Sequence, residues 1–233
     1  MRFRKSLYGI AIVCLLALAV FLLTYYRADG TALAAMESTA DVTVEQTAYG
    51  WRFDGPGEDA ALVFYPGARV QAQSYAPLMR RLAQAGLDAC LVRMPLRLAF
   101  FAPRAIDRVM AEHTYSRWYL GGHSLGGAIA AARAADSDGI DGLVLCAAYP
   151  TKPLDNALTE VLIYGSEDRV LNMRRVEESR QYAPERYVEQ VIPGGNHARF
   201  GSYGPQRGDG AATISAEQQQ DESVRIIMEA ISG

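Results

Sequence analysis

The sequence predicts an α/β domain built on a mostly parallel central sheet with helices on both faces, preceded by one N-terminal transmembrane helix. Three observations lead to this expectation. Short apolar runs alternate with amphipathic segments of helical period, the pattern of a sheet buried on both faces by crossover helices. No internal repeat or low-complexity tract interrupts the series. Residues 7–24 form an 18-residue stretch without a charge, which as a helix nearly spans the roughly 30 Å hydrocarbon layer. With 50% of its 233 residues hydrophobic and 21% charged, the chain can bury a core; disorder, collagen-like repeats and coiled coil are excluded.

At the N-terminus, Arg2, Arg4 and Lys5 precede the apolar stretch, and Tyr25 and Tyr26 follow it. The positive-inside rule keeps the first residues cytoplasmic and carries the rest across, with the tyrosines at the interface. The expected location is the cell membrane, single-pass, with the folded domain on the extracytoplasmic side. The alternative is a signal peptide cut after Ala34, since Ala32-Leu33-Ala34 offers small residues, which would release a secreted domain. Against that, the stretch is longer than a usual signal core, and Arg27 and Asp29 stand before the cut. The expected organisation is an anchor over 1–27, a linker over 28–41 and the folded domain over 42–233.

Within the domain, 42–53 alternates apolar and polar residues around Val42, Val44, Trp51 and Phe53, which suits an edge strand or hairpin. Residues 60–65 are continuously apolar and end in Pro66-Gly67, a buried strand followed by a turn. A helix is expected over 74–85, where Tyr75, Leu78, Met79 and Leu82 share a face and Gly86 stands at the C-cap position. The cycle continues with strands at 87–92, 116–120, 140–147, 160–164 and 187–192, and helices at 104–113, 125–135 and 170–182. Ser215-Ala216-Glu217-Gln218 has the capping-box pattern and opens the last helix. Residues 201–214 hold four glycines in 14 positions, an unusually long irregular loop.

Residues 38–233 carry 19 basic and 24 acidic side chains, net −5, with no basic run; nucleic-acid binding is excluded. Cys14, Cys90 and Cys146 show neither a disulfide framework nor metal-ligand spacing. G-x-G-x-x-G and P-loop patterns are absent, so no cofactor is expected.

The chemistry is concentrated at strand ends. Gly122-His123-Ser124-Leu125-Gly126 fits G-x-S-x-G, follows a strand and opens a helix of small residues, the context of a nucleophile elbow. A serine hydroxyl needs a base. Of the three histidines, His123 adjoins the serine and is expected to point away from it, and His113 closes a helix. His197 follows the last strand and is the base by elimination and position. The third member is a carboxylate that orients the imidazole. Asp168, just beyond the strand ending near Gly165, is selected over its neighbour Glu167 and over Asp155, which follows the preceding strand.

These residues resemble the α/β-hydrolase fold, whose triad runs serine, acid, histidine in chain order. The likeness covers about 42–233 and is closest in character to the compact, capless "fold-5" and dienelactone-hydrolase-like type, with a serine nucleophile. It is carried by Tyr65-Pro66-Gly67-Ala68, the Ser124 elbow, Gly165-Ser166-Glu167-Asp168 and Gly195-Asn196-His197. Two departures stand out: Pro66-Gly67 replaces the usual His-Gly pair, and dienelactone hydrolases use cysteine where this chain has Ser124. The resemblance implies an oxyanion hole made of the backbone N–H groups of Ala68 and Leu125, with Arg69 as the alternative to Ala68.

Only about a dozen residues separate the strand near Ala147 from the next, so no lid and an open pocket are expected. Residues 94–101 form an apolar loop that either walls an acyl or alcohol site or packs on the core. Arg69, Arg93 and Arg97 are candidate carboxylate binders, or solvated. The expectation is a membrane-tethered serine hydrolase of a small-molecule carboxylic ester. Acyltransferase, thioesterase or amidase chemistry on the same triad, or a non-catalytic binding domain, are the alternatives.

Overall fold

The computed structural model describes Val13, Val20, Phe21 and residues 23–232. The predicted membrane-spanning stretch falls largely outside the described residues; among those described, no helix is long and apolar enough to cross a membrane.

Eight strands form one sheet: β1 (Thr43–Gln46), β2 (Gly50–Asp54), β3 (Ala60–Tyr65), β4 (Asp88–Val92), β5 (Arg117–His123), β6 (Gly142–Cys146), β7 (Thr159–Gly165) and β8 (Arg186–Ile192). Their order is β1-β2-β4-β3-β5-β6-β7-β8. The alternating segment 42–53 is a hairpin, with Thr43 opposite Asp54, and β2 pairs antiparallel with β4. From β4 to β8 every pairing is parallel.

The helices are α1 (Gly30–Ala34), α2 (Ala76–Gln84), α3 (Ala105–Glu112), α4 (Leu125–Ala134), α5 (Met173–Ser179) and α6 (Ala216–Ser232). Successive strand residues point to opposite faces, and the core divides accordingly. Leu62 and Phe64 of β3 pack with Leu78 and Leu82 of α2 and Ile227 of α6. Ala61, Val63 and Tyr65 pack on the other face with Ile106 of α3 and Ala130 and Ala134 of α4. Cys90 and Cys146 are buried free thiols, and burial pushes the pKa of each up to about 12.

Local chemistry sets the element ends. The Ser215 Oγ accepts from the Gln218 N–H (3.0 Å) while the Ser215 N–H donates to Gln218 Oε1 (2.8 Å), the reciprocal capping box. The helix expected from residue 170 starts only at Met173. Asp168 Oδ1 accepts the N–H groups of Val170 and Leu171 (both 2.8 Å) and holds a turn there. The helix of 74–85 likewise opens as a 3₁₀ turn over 72–75.

The end of the expected anchor and the first part of the expected linker lie against the domain. Tyr26 bridges Val70, its N–H donating to Arg69 O (2.8 Å) while its carbonyl accepts the Gln71 N–H (2.9 Å). Asp29 caps α1 by accepting from the Ala32 N–H (2.9 Å), and Ala32 is fully buried. Residues 24–35 therefore belong to the folded body, which begins well before Val42.

A buried carboxylate on β7, that of Glu160, has neither oxygen hydrogen-bonded among the described residues. Burial, and secondarily the charge of Glu189, raise its pKa from 4.5 to about 8. Between those values the folded chain keeps a proton that the unfolded chain has lost, so stability is greatest below the lower value and falls as pH rises towards the upper one. Glu160→Gln removes this titration. Its stabilisation relative to the parent should grow through that window by up to about 1.4 kcal/mol per pH unit, checked by urea unfolding at the two ends of the window.

Candidate active site

β5 passes into α4 through Ser124, which holds φ 53° and ψ −123°, a left-handed conformation that costs a non-glycine residue of order 1–3 kcal/mol. Its neighbours explain how the chain tolerates it. A Cβ on Gly126 would fall 2.2 Å from Tyr65 O and 2.3 Å from Pro66 O, so only glycine lets α4 start against the end of β3. The Ser124 N–H donates to Cys146 O on β6 (3.0 Å), and the side chain is half-buried at the C-terminal sheet edge.

His197 follows β8, and its Nδ1 lies 2.8 Å from Asp168 Oδ2. The two side chains are 2% and 0% exposed. A carboxylate only accepts, so Nδ1 carries the proton and Nε2 is left as the basic atom of the neutral ring. Nε2 is buried with no hydrogen-bond partner among the described residues; the structure joins Asp168 to His197 but shows no hydrogen bond from Ser124 to His197. The rival acids lie elsewhere: Glu167 accepts from the Ser166 hydroxyl (3.1 Å) and Asp155 from the Ala157 N–H (2.8 Å). His113 is bonded through Nε2 to the Tyr49 hydroxyl (2.9 Å).

The glycine-rich loop 201–214 has a structural task that sequence reasoning missed. Its Asp209 accepts the N–H of Ala198 (2.9 Å) on Oδ2 and that of His197 (3.3 Å) on Oδ1. From α6, the fully buried Gln219 brackets Asn196, accepting its N–H (2.9 Å) and donating to its carbonyl (2.8 Å). The His197 segment is thus held from both sides. The unusual length of the loop was the signal in the sequence; the role of Asp209 had none.

Near the turn after β3, the Ala68 N–H makes no hydrogen bond among the described residues, whereas the Arg69 N–H donates to Arg97 O (2.9 Å). The alternative donor, Arg69, is therefore occupied. The turn is tied to the elbow by Tyr75, which is fully buried. Its hydroxyl accepts the Gly67 N–H (3.1 Å) and contacts His123 Nδ1 (2.8 Å). Which of the two donates in that contact depends on the His123 tautomer. The His123 ring centroid is 4.5 Å from that of His197, so this histidine contributes to the site's packing. Burial, and then the charge of His197, hold its pKa well below 6.5; His123 stays neutral beside the base.

A cavity of about 380 Å³ opens next to Pro66, walled by Tyr25, Trp51, Met94 and Leu96 and by Arg93 and Arg97. Ser124 is not part of its lining. Arg93 stacks over Trp51 (4.6 Å to the ring centroid) and Arg97 over Tyr25 (3.5 Å). Arg69, the third candidate carboxylate binder, is turned instead to the N-terminal segment, bonding the Thr24 hydroxyl (2.6 Å) and lying over Phe21. The loop 94–101 is packed on the core through Met94 and Ala99, which are buried, while Leu96, Phe100 and Phe101 are 47%, 68% and 53% exposed. Between β6 and β7, residues 147–158 contain no helix or strand, so no lid is inserted there. Among the described residues no cluster of metal-ligating side chains occurs.

The alpha/beta hydrolase family matches residues 61–221 of the chain. No curated protein matches it significantly. Among solved structures, Est1E from Butyrivibrio proteoclasticus is similar at 15% identity and a TM-score of 0.58, covering 83% of this chain and 100% of its own. Carboxylesterase CesB (YbfK) from Bacillus subtilis is similar at 10% identity and 0.56, covering 87% and 95%. A protein from Klebsiella pneumoniae subsp. pneumoniae, assigned as a dienelactone hydrolase, is similar at 15% identity and 0.60, covering 82% and 99%. At these identities the likeness is one of fold.

The Tyr75 bridge generates a test. Tyr75→Phe should leave the fold intact while freeing the Gly67 N–H and His123 Nδ1, each at a cost of about 1–3 kcal/mol. The loss should appear as a lower unfolding midpoint than the parent's, measured by thermal unfolding.

Proposed function

Because the chain belongs to the alpha/beta hydrolase family, we propose that it is a serine hydrolase cleaving a carboxylic ester through an acyl-enzyme. Ser124 attacks the carbonyl, His197 takes the hydroxyl proton on Nε2 and returns it to the leaving alcohol, and Asp168 orients the imidazole and stabilises its cationic form. The oxyanion is received by the N–H groups of Ala68 and Leu125. A water molecule, deprotonated by the same Nε2, then releases the acid and regenerates Ser124.

The observation that supports this reading most directly is the 2.8 Å contact of His197 Nδ1 with the buried Asp168, which leaves Nε2 as the basic atom and without a partner among the described residues. A binding domain that had lost catalysis would have no need to bury a carboxylate against an imidazole. The unassigned Ala68 N–H, one residue beyond the Gly67 that Tyr75 holds, is consistent with an oxyanion donor. The location we propose is the cell membrane, with 7–24 spanning it and the domain on the extracytoplasmic side. Acyl transfer, thioester or amide cleavage would use the same three residues and are separated from ester hydrolysis only by substrate.

Ser124→Ala should abolish ester hydrolysis and labelling by a fluorophosphonate probe without loss of folding; retained turnover would sink the assignment. Asp168→Asn should cut kcat by as much as ~10⁴, whereas Glu167→Gln and Asp155→Asn should change it little. A panel of acyl esters, thioesters and amides run on the parent chain identifies the bond class.

A further inference from the structure

We infer that the face formed by residues 93–108 is a second membrane contact, docking the domain onto an anionic lipid surface. The inference rests on the reading that 7–24 lies in a bilayer, and goes beyond it.

Apolar exposure is concentrated on this face. From residue 24 onwards, the exposed large hydrophobic side chains among the described residues are Leu33, Leu96, Phe100, Phe101, Val170 and Val191. Three of these six stand on the short stretch 95–101, where Phe100 and Phe101 pack edge to face with ring centroids 5.7 Å apart. Exposed aromatic pairs of this kind mark surfaces that meet a partner or a membrane.

The charge around them is mostly basic. Arg93, Arg97, Arg104 and Arg108 come from the same stretch, and its only acid, Asp107, is paired with Arg104 and Arg133 (both 2.7 Å). This lies in a domain that is acidic as a whole. A second cavity, of about 370 Å³, joins Phe101 to Arg93, Arg104 and Arg108, so the apolar and basic groups form one continuous surface. Arginine beside aromatic side chains matches anionic headgroups over acyl chains.

Chain geometry selects a bilayer as the occupant. The apolar stretch ends at Thr24, and there is no slack after it: Arg69 bonds Thr24, Tyr26 bridges Val70, and the Arg97 guanidinium lies over the Tyr25 ring. Whatever surface 7–24 enters is therefore held against the rim that carries Leu96 and Arg97.

The test reconstitutes the full chain carrying Phe100→Trp into vesicles of phosphatidylcholine and phosphatidylglycerol with brominated acyl chains. Flotation reports association, and hydrolysis of a short soluble ester reports folding. The added tryptophan should lose emission to bromine well beyond the parent, whose Trp51 and Trp118 are buried. Arg104→Gln with Arg108→Gln, or phosphatidylcholine alone, should restore much of that emission. A chain that floats with the vesicles while the emission of the added tryptophan is unquenched overturns the docking face and leaves the anchor reading standing. A chain that does not float removes the anchor reading and the inference with it. Sedimentation in detergent as a dimer that Phe100→Ser dissociates, with no quenching in vesicles, would assign the face to a second copy and likewise overturn the inference.

Discussion

The close approach of α4 to the end of β3 is the contact on which the rest of the site depends. With Gly126 set against the carbonyls of Tyr65 and Pro66, the chain must turn sharply between β5 and α4, and Ser124 takes up the left-handed conformation that the turn demands. Because β5 lies between β3 and β6 at the middle of the parallel sheet, that turn is flanked by the ends of both neighbours. The Ala68 turn comes from one side, and the Cys146 carbonyl receives the Ser124 N–H from the other. A side chain at 126 would push helix and sheet apart, moving every one of these groups together.

Electrostatics at the site follows from burial. A carboxylate withdrawn from water needs donors on its lone pairs, and Asp168 has three: the N–H groups of Val170 and Leu171 and the ring of His197. The geometry that satisfies the acid also sets the tautomer of the base. His123 lies beside His197 but is kept neutral, so no second cation stands against that ring. Tyr75 touches both His123 and the Gly67 turn and so ties the two together.

The N-terminal region is continuous with this architecture. Tyr25 walls the cavity, Tyr26 adds a bridge to Val70, and α1 buries Ala32.

Much of this was legible in the sequence because it is local. Period-two and continuous apolar runs located the strands, with 60–65 agreeing residue for residue, and G-x-S-x-G announced a turn whose backbone only glycine flanks permit. Chain order brought Ser124, Asp168 and His197 to one sheet edge, since consecutive parallel strands present their ends on the same side. What escaped depends on contacts between residues distant in sequence. Nothing near Tyr75 in the chain shows that its hydroxyl reaches both Gly67 and His123, nor near Asp209 that it holds the His197 segment. The polarity of 28–41 reads as linker, yet bonds to Gln71 and Ser202 fold its first residues down onto the domain. Residues 94–101 read as an apolar loop with no sign of which way it faces, and the tertiary structure turns Phe100 and Phe101 outward. Composition and period determine which elements form and which residues carry the chemistry; only the packed chain decides which polar atoms meet and which apolar ones stay exposed, because those outcomes depend on through-space distances that the order of residues does not encode locally.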